Sequence, residues 1–564
     1  MTHVIIQSCC NDAACVPVCP VDCIHPAPGE PGYATAEMLY IDPESCVDCG
    51  ACVEVCPVDA IQMDTELTGP SKTYIDLNAL HFADHTYPDR YAMPPGTAAV
   101  RAERGPLRVA IVGAGPAGMY AAESLSSRRD IAVQIDIFER LPTPWGLARA
   151  GIAPDHQSTK RVVEQFERTA ARPGIRFVFD TLVGQNPTVE WLTDRYHAVL
   201  YSVGASADRR LGVPGEDLPG SHSAAEFVGW YNGHPDHAHH EFDLTGERAV
   251  VVGNGNVALD VARILVSGVD RLRTTDIADH ALEALASSRI EEVVVVGRRG
   301  PAQASFTTPE LLEIGKLPGI DALADPAQVD LDPATSAQLQ GNPDALVRFK
   351  LAVVAGYATA ERTPGNRAIR LRFLSSPTAV LGTDRVKGIR LAHNELVPAD
   401  GGGARAVATE GWEDLACGLV LRSVGYQGGP VPGVPFDMPT ATIPNVGGRV
   451  VDARTLRPIT GAYTAGWIKR GPSGVVGTNK TCAAETCDAI VDDFVDGVLP
   501  DPVVPLDEVK PESGFGWAGW LAIDRFERAL DAGASRPRVK VVDRKRLVEL
   551  ATAANLSEAR TAMR

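Results

Sequence analysis

Cys46, Cys49, Cys52 and Cys56 stand in the pattern C-x2-C-x2-C-x3-C and are followed by Pro57. Three thiolates on a tight loop hold three corners of an iron–sulfur cubane, and the cysteine before proline turns away to bind the opposite cluster. Proline has no N–H and a fixed φ, so it helps to end the ligand loop. The stretch "VCPVDAI" at 55–61 repeats "VCPVDCI" at 18–24, 37 positions earlier. Carried back by that interval, the four cysteines fall on Cys9, Asp12, Cys15 and Cys19. Zinc sites are usually two separated C-x2-C pairs. Two four-step runs, each closing in Cys-Pro, are a more specific signal and point to two iron–sulfur centres.

Over residues 1 to about 64 these motifs resemble bacterial two-cluster ferredoxins. The crossed pattern of that family assigns Cys19, Cys46, Cys49 and Cys52 to a complete [4Fe–4S] cluster. Cys9, Cys15 and Cys56 then hold the second, with Asp12 opposite its fourth corner. Carboxylate is a harder ligand than thiolate, so [3Fe–4S] is favoured there over an Asp-ligated [4Fe–4S]. Cys10 and Cys23 stand as alternative ligands. The five residues between Cys9 and Cys15 depart from the longer first gap usual in seven-iron ferredoxins.

The rest of the chain must feed and position these centres. Its 564 residues call for about three domains. Abundant glycine (53) and an ordinary apolar fraction are those of an α/β protein. No run of 18 or more apolar residues reads as a transmembrane span. The N-terminus shows no secretory signal, so the twelve cysteines read as metal or redox residues of a cytoplasmic protein. Residues 1–64 carry ten acids and no Lys or Arg, within a net charge of −18. Such a surface is steered to basic partners or merely aids solubility, and it argues against nucleic-acid binding.

A dinucleotide unit begins at Leu107. "LRVAIVGAGPAGMYAAESL" is an apolar strand, a glycine turn and a helix, with Gly113, Gly115 and Gly118 in G-x-G-x-x-G spacing. The glycines allow the turn, the approach of a pyrophosphate and close helix–strand packing. The next strand ends in Glu139, 21 residues after Gly118, where an acid binds ribose hydroxyls. A second unit, "RAVVVGNGNVALDVARIL", has Gly253 and Gly255 with Ala258 in the third place. Its next strand ends in Arg298 and Arg299, which suit a 2′-phosphate and so NADP. Residues 65–106 read as a linker. The tract from about 315 to 410 carries little motif. Residues 462–485 look like a return into the first unit. No chemistry attaches to the tail at 499–564, with its Trp517, Trp520 and basic stretch from Arg536 to Arg546.

The two units, with "GLARAGIAPDHQSTK", "VGRRGPAQASFT" and "AGWIKRGPSGVVGTNK", closely resemble adrenodoxin-reductase-type ferredoxin–NADP reductases over about 107–498. With the N-terminal domain, the chain resembles mycobacterial or actinobacterial ferredoxin/ferredoxin–NADP reductase fusions. The resemblance implies a fold of two Rossmann-like domains in a glutathione-reductase-like arrangement, preceded by a small α+β ferredoxin-like domain. FAD would be bound by 107–207 with 430–498, and NADP by 208–429. The resemblance places Gly113, Gly115, Ala117 and Gly118 at the FAD pyrophosphate and Glu139 at the ribose. Leu147 and Val183 line the adenine and flavin sides. Trp467, Gly474, Val475 and Val476 close on the isoalloxazine, Gly474 also near the nicotinamide. Gly255, Asn256 and Val257 bind NADP, with Arg298, Arg299 and Glu310 around the 2′-phosphate end. His156 and Asp260 match a pair beside the flavin that positions or tunes rather than donating protons; a lone buried histidine is the plain alternative for His156.

The implied activity is NADPH–ferredoxin oxidoreduction. Hydride passes from NADPH to FAD, then single electrons pass to the fused centres as intramolecular acceptor. An outside acceptor follows, a ferredoxin or a cytochrome P450 system. In this family an acidic carrier docks on a basic face of the NADP domain. Here 325–350 offers only Arg348 and Lys350 against Asp325, Asp330, Asp332 and Asp344, which fits a carrier supplied by tethering. Two rivals are a flavin disulfide reductase and a redox-sensing subunit of a larger assembly. The first needs a close cysteine pair, and Cys482 and Cys487 are poorly spaced for one on a helix.

Overall fold

The computed structural model describes residues 2–87, 105–341, 344–399, 403–504, 514–530 and 536–562. The part of the linker at 88–104 lies outside them.

Two sheets form the body, the second wholly parallel and the first parallel except for an antiparallel edge, Asn445–Val446 with Arg449–Val451 with Pro458–Thr464. In the first, Leu107–Val112 is central, between Val133–Phe138 and Ala198–Tyr201. Leu107–Val112 and Ala198–Tyr201 are short, almost wholly apolar and buried runs, as expected of strands covered on both faces, while Val133–Phe138 carries Gln134 and Asp136. Pro458–Thr464 returns to lie parallel to Ala198–Tyr201, with Ala462 opposite Val199. Helix Thr478–Val495 then packs on helix Pro116–Ser126. The second sheet has six parallel strands ordered Ser221–Ser223, Leu419–Arg422, Arg248–Val252, Glu292–Val296, Arg367–Arg372 and Ile320–Ala324. The chain leaves the first sheet through Ala207–Asp208 and comes back through Tyr426–Gln427, and these two segments pair antiparallel.

The tract of little motif at 315–410 is built of regular elements. It supplies two strands of the second sheet, helix Ala345–Thr359, and an antiparallel meander of Ser375–Gly382, Val386–Pro398 and Ala404–Ala416.

The N-terminal domain is made of two small ribbons, His3–Ile5 with Ile61–Met63 and Ile24–His25 with Tyr40–Ile41. It extends past residue 64, where the sequence reading put its end. Helix Thr73–Asp84 lies in the stretch read as linker, yet its Asn78 ties both ribbons together. The Asn78 Oδ1 accepts from the N–H of Ile5 (3.2 Å) and of Ile41 (2.9 Å), and its Nδ2 donates to Ile5 O at 2.9 Å. A short helix with weak amphipathic patterning after an irregular segment carries little sequence signal. The tail is also packed: helix Trp517–Ala529 buries Trp520 against Trp145.

Candidate functional site

The cysteine loops repeat in backbone as well as in sequence. Asn11, Ala13 and Asp22 have φ of 57°, 56° and 49°, and Asp48, Gly50 and Asp59, each 37 positions later, have 57°, 72° and 51°. Left-handed backbone costs a non-glycine residue about 1–2 kcal/mol. Ala13 accepts that strain where the second loop has Gly50, so the loop shape is retained although Asp12 has replaced a cysteine.

The loops surround two cavities. Cys19, Cys46, Cys49 and Cys52 line one, with Cys23 also on its wall. Cys9, Cys15, Cys56, Asp12 and Cys10 line the other. The grouping is the crossed one, with Cys19 and Cys56 each on the cavity of the other loop. Burial pushes the Cys9 thiol up to about 12 and raises Cys15 and Cys56 as well. Thiolates form there only against a compensating cation, as a bound metal supplies. The donor set therefore fits iron–sulfur clusters. The Asp12 carboxyl is raised by burial, against the pull of Lys480, whose Nζ is 3.5 Å from Oδ2.

The first sheet ends in a cradle. Gly113 has φ +106°, and a Cβ there would meet Ser202 O at 2.7 Å; one on Gly118 would meet Gly113 O at 2.1 Å. A Cβ on Gly115 would find only Gly146 Cα, at 3.9 Å. One glycine thus turns the chain, one seats the helix, and one leaves room for a pyrophosphate at the helix N-terminus. Glu139 is buried, and its two oxygens accept from the N–H groups of Ala114 (2.8 Å) and Leu141 (2.9 Å). Ala117 lies under Gly466, where a Cβ would come 2.5 Å from Ala117 Cβ. Leu147 opens helix Leu147–Ala150, and Val183 is buried with Val431 and Ile468. Trp467 follows Gly466, and its Nε1 donates to Ser473 O at 3.1 Å, next to Gly474, Val475 and Val476.

The second sheet repeats the device. Gly253 has φ +122°, and a Cβ would meet Ser423 O at 2.0 Å, while Gly255 faces open space. Asn256 accepts through Oδ1 from Thr307 N at 2.8 Å, and Val257 follows it in the helix. Arg298 is exposed and Arg299 half-buried, its guanidinium donating to Gln303 O at 3.3 Å. Both cradles fit dinucleotides.

Glu310, expected with those arginines, bonds elsewhere. It belongs to a buried charge network with His156 and Asp260. His156 Nδ1 is 3.8 Å from Asp260 Oδ1 and its Nε2 is 3.8 Å from Glu310 Oε2. Arg263, buried at the centre, donates to Asp155 (2.7 Å), Asp260 (2.6 Å) and Glu310 (3.3 Å). The cation among these carboxylates is therefore a guanidinium. Burial would raise Asp155, but Arg263 holds it well below the usual carboxylate range. Burial raises Asp260 and Glu310 and lowers His156, which stays neutral near pH 7. Asp155, Arg263 and Gln7 escaped the sequence reading. An arginine three residues after Asp260 on an otherwise apolar helix was the available signal.

Gln7 reaches this network from the N-terminal domain, donating to Glu310 Oε1 at 2.9 Å. The two parts meet along a wider seam. Gly477, next after Val476, donates its N–H to Cys10 O at 2.7 Å. Glu37 accepts from Lys350 Nζ and from Thr308 N, both at 2.6 Å, and Asp84 accepts from Ala345 N at 2.6 Å. Asp59 pairs with Arg161, and Lys316 lies over the Tyr74 ring at 4.7 Å. The face at 325–350 therefore does receive an acidic carrier, the one in the same chain, through Lys350. Cys482 and Cys487 are separate buried thiols. No helix among the described residues is long and apolar enough to cross a membrane.

Known proteins share this arrangement. Residues 107–298 match the pyridine nucleotide-disulphide oxidoreductase family, and residues 39–62, with the four-cysteine loop, match the 4Fe-4S binding domain. A probable ferredoxin/ferredoxin–NADP reductase of Mycobacterium tuberculosis is 47% identical over 572 residues, covering 98% of this chain and 96% of that protein. The NADPH-ferredoxin reductase FprA of the same organism is 45% identical over 79% of this chain and 99% of its own. The structure of M. tuberculosis FprA in complex with NADPH superposes with a TM-score of 0.72 at 44% identity, covering 79% of this chain and all of that one. With two cysteine-lined cavities, two dinucleotide cradles, and a relative this similar along nearly its whole length, the chain belongs to the ferredoxin/ferredoxin–NADP reductase family.

Proposed function

We propose that the chain is an FAD-dependent NADPH–ferredoxin oxidoreductase whose first one-electron acceptor is its own N-terminal domain. The observation that carries this is the hydrogen bond from Gly477 to Cys10 O. It puts the segment expected to close on the flavin directly against the Asp12 loop.

The residues divide the work. Gly113, Gly115, Ala117, Gly118 and Glu139 receive FAD, with Leu147, Val183, Trp467, Gly474, Val475 and Val476 around it. Gly255, Asn256 and Val257 receive NADPH, and Arg298 and Arg299 select its 2′-phosphate. Bound FAD supplies the exchange between the two electrons of a hydride and the single electrons of iron–sulfur centres. His156 and Asp260 orient and tune, since the transfer needs alignment and electrostatics rather than a protein acid. Glu310 works with them instead of with the arginines, and Gln7 joins the N-terminal domain to this group.

Cys19, Cys46, Cys49 and Cys52 hold a [4Fe–4S] cluster. Cys9, Cys15 and Cys56 hold the second, read as [3Fe–4S] because Asp12 is a hard ligand. The outside acceptor is a ferredoxin or a cytochrome P450 system, and the setting is cytoplasmic.

Anaerobic stopped-flow mixing with NADPH tests the reading. Flavin absorbance should bleach first and iron–sulfur absorbance second, with NADH far slower. NADPH that bleaches neither would overturn it.

A further inference from the structure

The two cysteine-lined cavities differ in what they face. The Asp12 cavity faces inward. Gly477 and Lys480 of one reductase helix meet Cys10 and Asp12, and Gln7, Glu37 and Asp59 bond to the reductase around them. The four-cysteine cavity faces outward. Cys49 is exposed, and residues from Glu44 to Val55 make their described hydrogen bonds and ion pairs within the N-terminal domain. Beside the lining cysteines stand three bare valines: Val18 next to Cys19 at 36% exposure, Val47 next to Cys46 at 58%, and Val53 next to Cys52 at 39%. Glu44 and Glu54 are exposed among them, and no Lys or Arg occurs before residue 65.

The inner seam shows how this domain is recognised. Arg161, Lys350 and Lys480 of the reductase each meet an acid of the N-terminal domain. The outer face has the same chemistry with an apolar centre and no cation supplied. Apolar patches rimmed by charge of one sign are the surfaces that proteins use to dock partners of opposite sign.

We propose that the chain is polar along its electron path. The Asp12 half is the entry, and the four-cysteine half around Cys49 is the exit. The exit docks a one-electron acceptor protein that presents an apolar patch ringed by Lys and Arg. This rests on the oxidoreductase reading above.

The test uses the full holoprotein and oxidised cytochrome c, a basic haem protein, as probe. In the double variant Glu44→Lys/Glu54→Lys, cytochrome c binding measured by calorimetry should weaken by about tenfold or more at low salt. Its reduction should slow in parallel and lose its salt dependence. Reduction of ferricyanide, and the EPR amplitude of the clusters after NADPH, should match the wild type. Binding and reduction within about twofold of wild type would overturn the exit face. Failure of the underlying reading is seen separately, as wild-type clusters that NADPH does not reduce.

Discussion

Asp12 holds a cysteine's place on a backbone that still has the cysteine loop's shape. The left-handed triplet of Asn11, Ala13 and Asp22 matches that of Asp48, Gly50 and Asp59. A thiolate returned at this position would thus meet the same corner as Cys49 does. Asp12→Cys is expected to add about one iron per chain and to remove a three-iron EPR signal from the oxidised protein. A wild-type protein that already carries two complete cubanes would count against the [3Fe–4S] assignment. The glycines and cysteines were legible because their constraint is local: a positive φ, a close approach or a ligand spacing shows in a few consecutive letters. The bonds from Arg263 to Glu310 and to Asp155 join residues 47 and 108 positions apart, beyond the reach of any local pattern. A short window shows only one of the three carboxylates of Arg263, Asp260 on the same helix, and leaves the other two out of view.

Helices carry the seam between the two parts. Gly477, at the head of Thr478–Val495, has ordinary helical dihedrals, so it is a glycine for room rather than for turn. A Cβ would stand 2.2 Å from Asp12 N and 2.3 Å from Cys10 O. Backbone cannot yield as a side-chain tip does, so Gly477→Ala must push the N-terminal domain off the reductase. Rapid mixing should show flavin reduction by NADPH nearly unchanged and cluster reduction slowed by roughly tenfold to a hundredfold, the penalty for ångström misplacement. Unchanged cluster reduction would mean that this contact does not set the path. Helix Thr73–Asp84 makes a different prediction. His81 is buried against Tyr40 and bonded to the Tyr87 hydroxyl at 2.8 Å. Burial, then His85 and His25, lower it to about 3. Its unfolded value is near 6.5, so the unfolded state binds the extra proton first. Stability contributed by neutral His81 is therefore full above pH 6.5 and falls as pH drops toward 3, by at most about 1.4 kcal/mol per pH unit. His81→Phe should flatten the pH dependence of unfolding between pH 6 and 4, followed by thermal denaturation.

At the scale of the whole molecule, the tail acts as a clasp. It offered no motif, because its residues matter only through what they cover. Glu527 is fully buried, accepting from Arg149 at 2.6 Å, from Arg538 at 3.2 Å and from Val541 N at 3.0 Å. Arg149 belongs to helix Leu147–Ala150, whose first residue is expected at the flavin, and its guanidinium also lies 5.3 Å from the Trp520 ring. Lys540, further along the tail, pairs with Asp276, which Lys160 shares from the other side, so one extension spans both lobes. Burial would raise Asp276, but the two lysines hold it far below the usual carboxylate range. Removing one partner of a buried ion pair costs about 3–5 kcal/mol, since the other charge is left without compensation. Glu527→Ala should therefore lower the unfolding temperature and loosen the Leu147 turn, releasing FAD at lower denaturant than in the wild type. Flavin fluorescence reads that release directly. A variant at an exposed position of the same helix, Arg525→Gln, keeps Glu527 and its partners and should release flavin close to where the wild type does. If Glu527→Ala unfolds earlier but flavin leaves only with global unfolding, the tail is a general staple and has no particular hold on the flavin lobe.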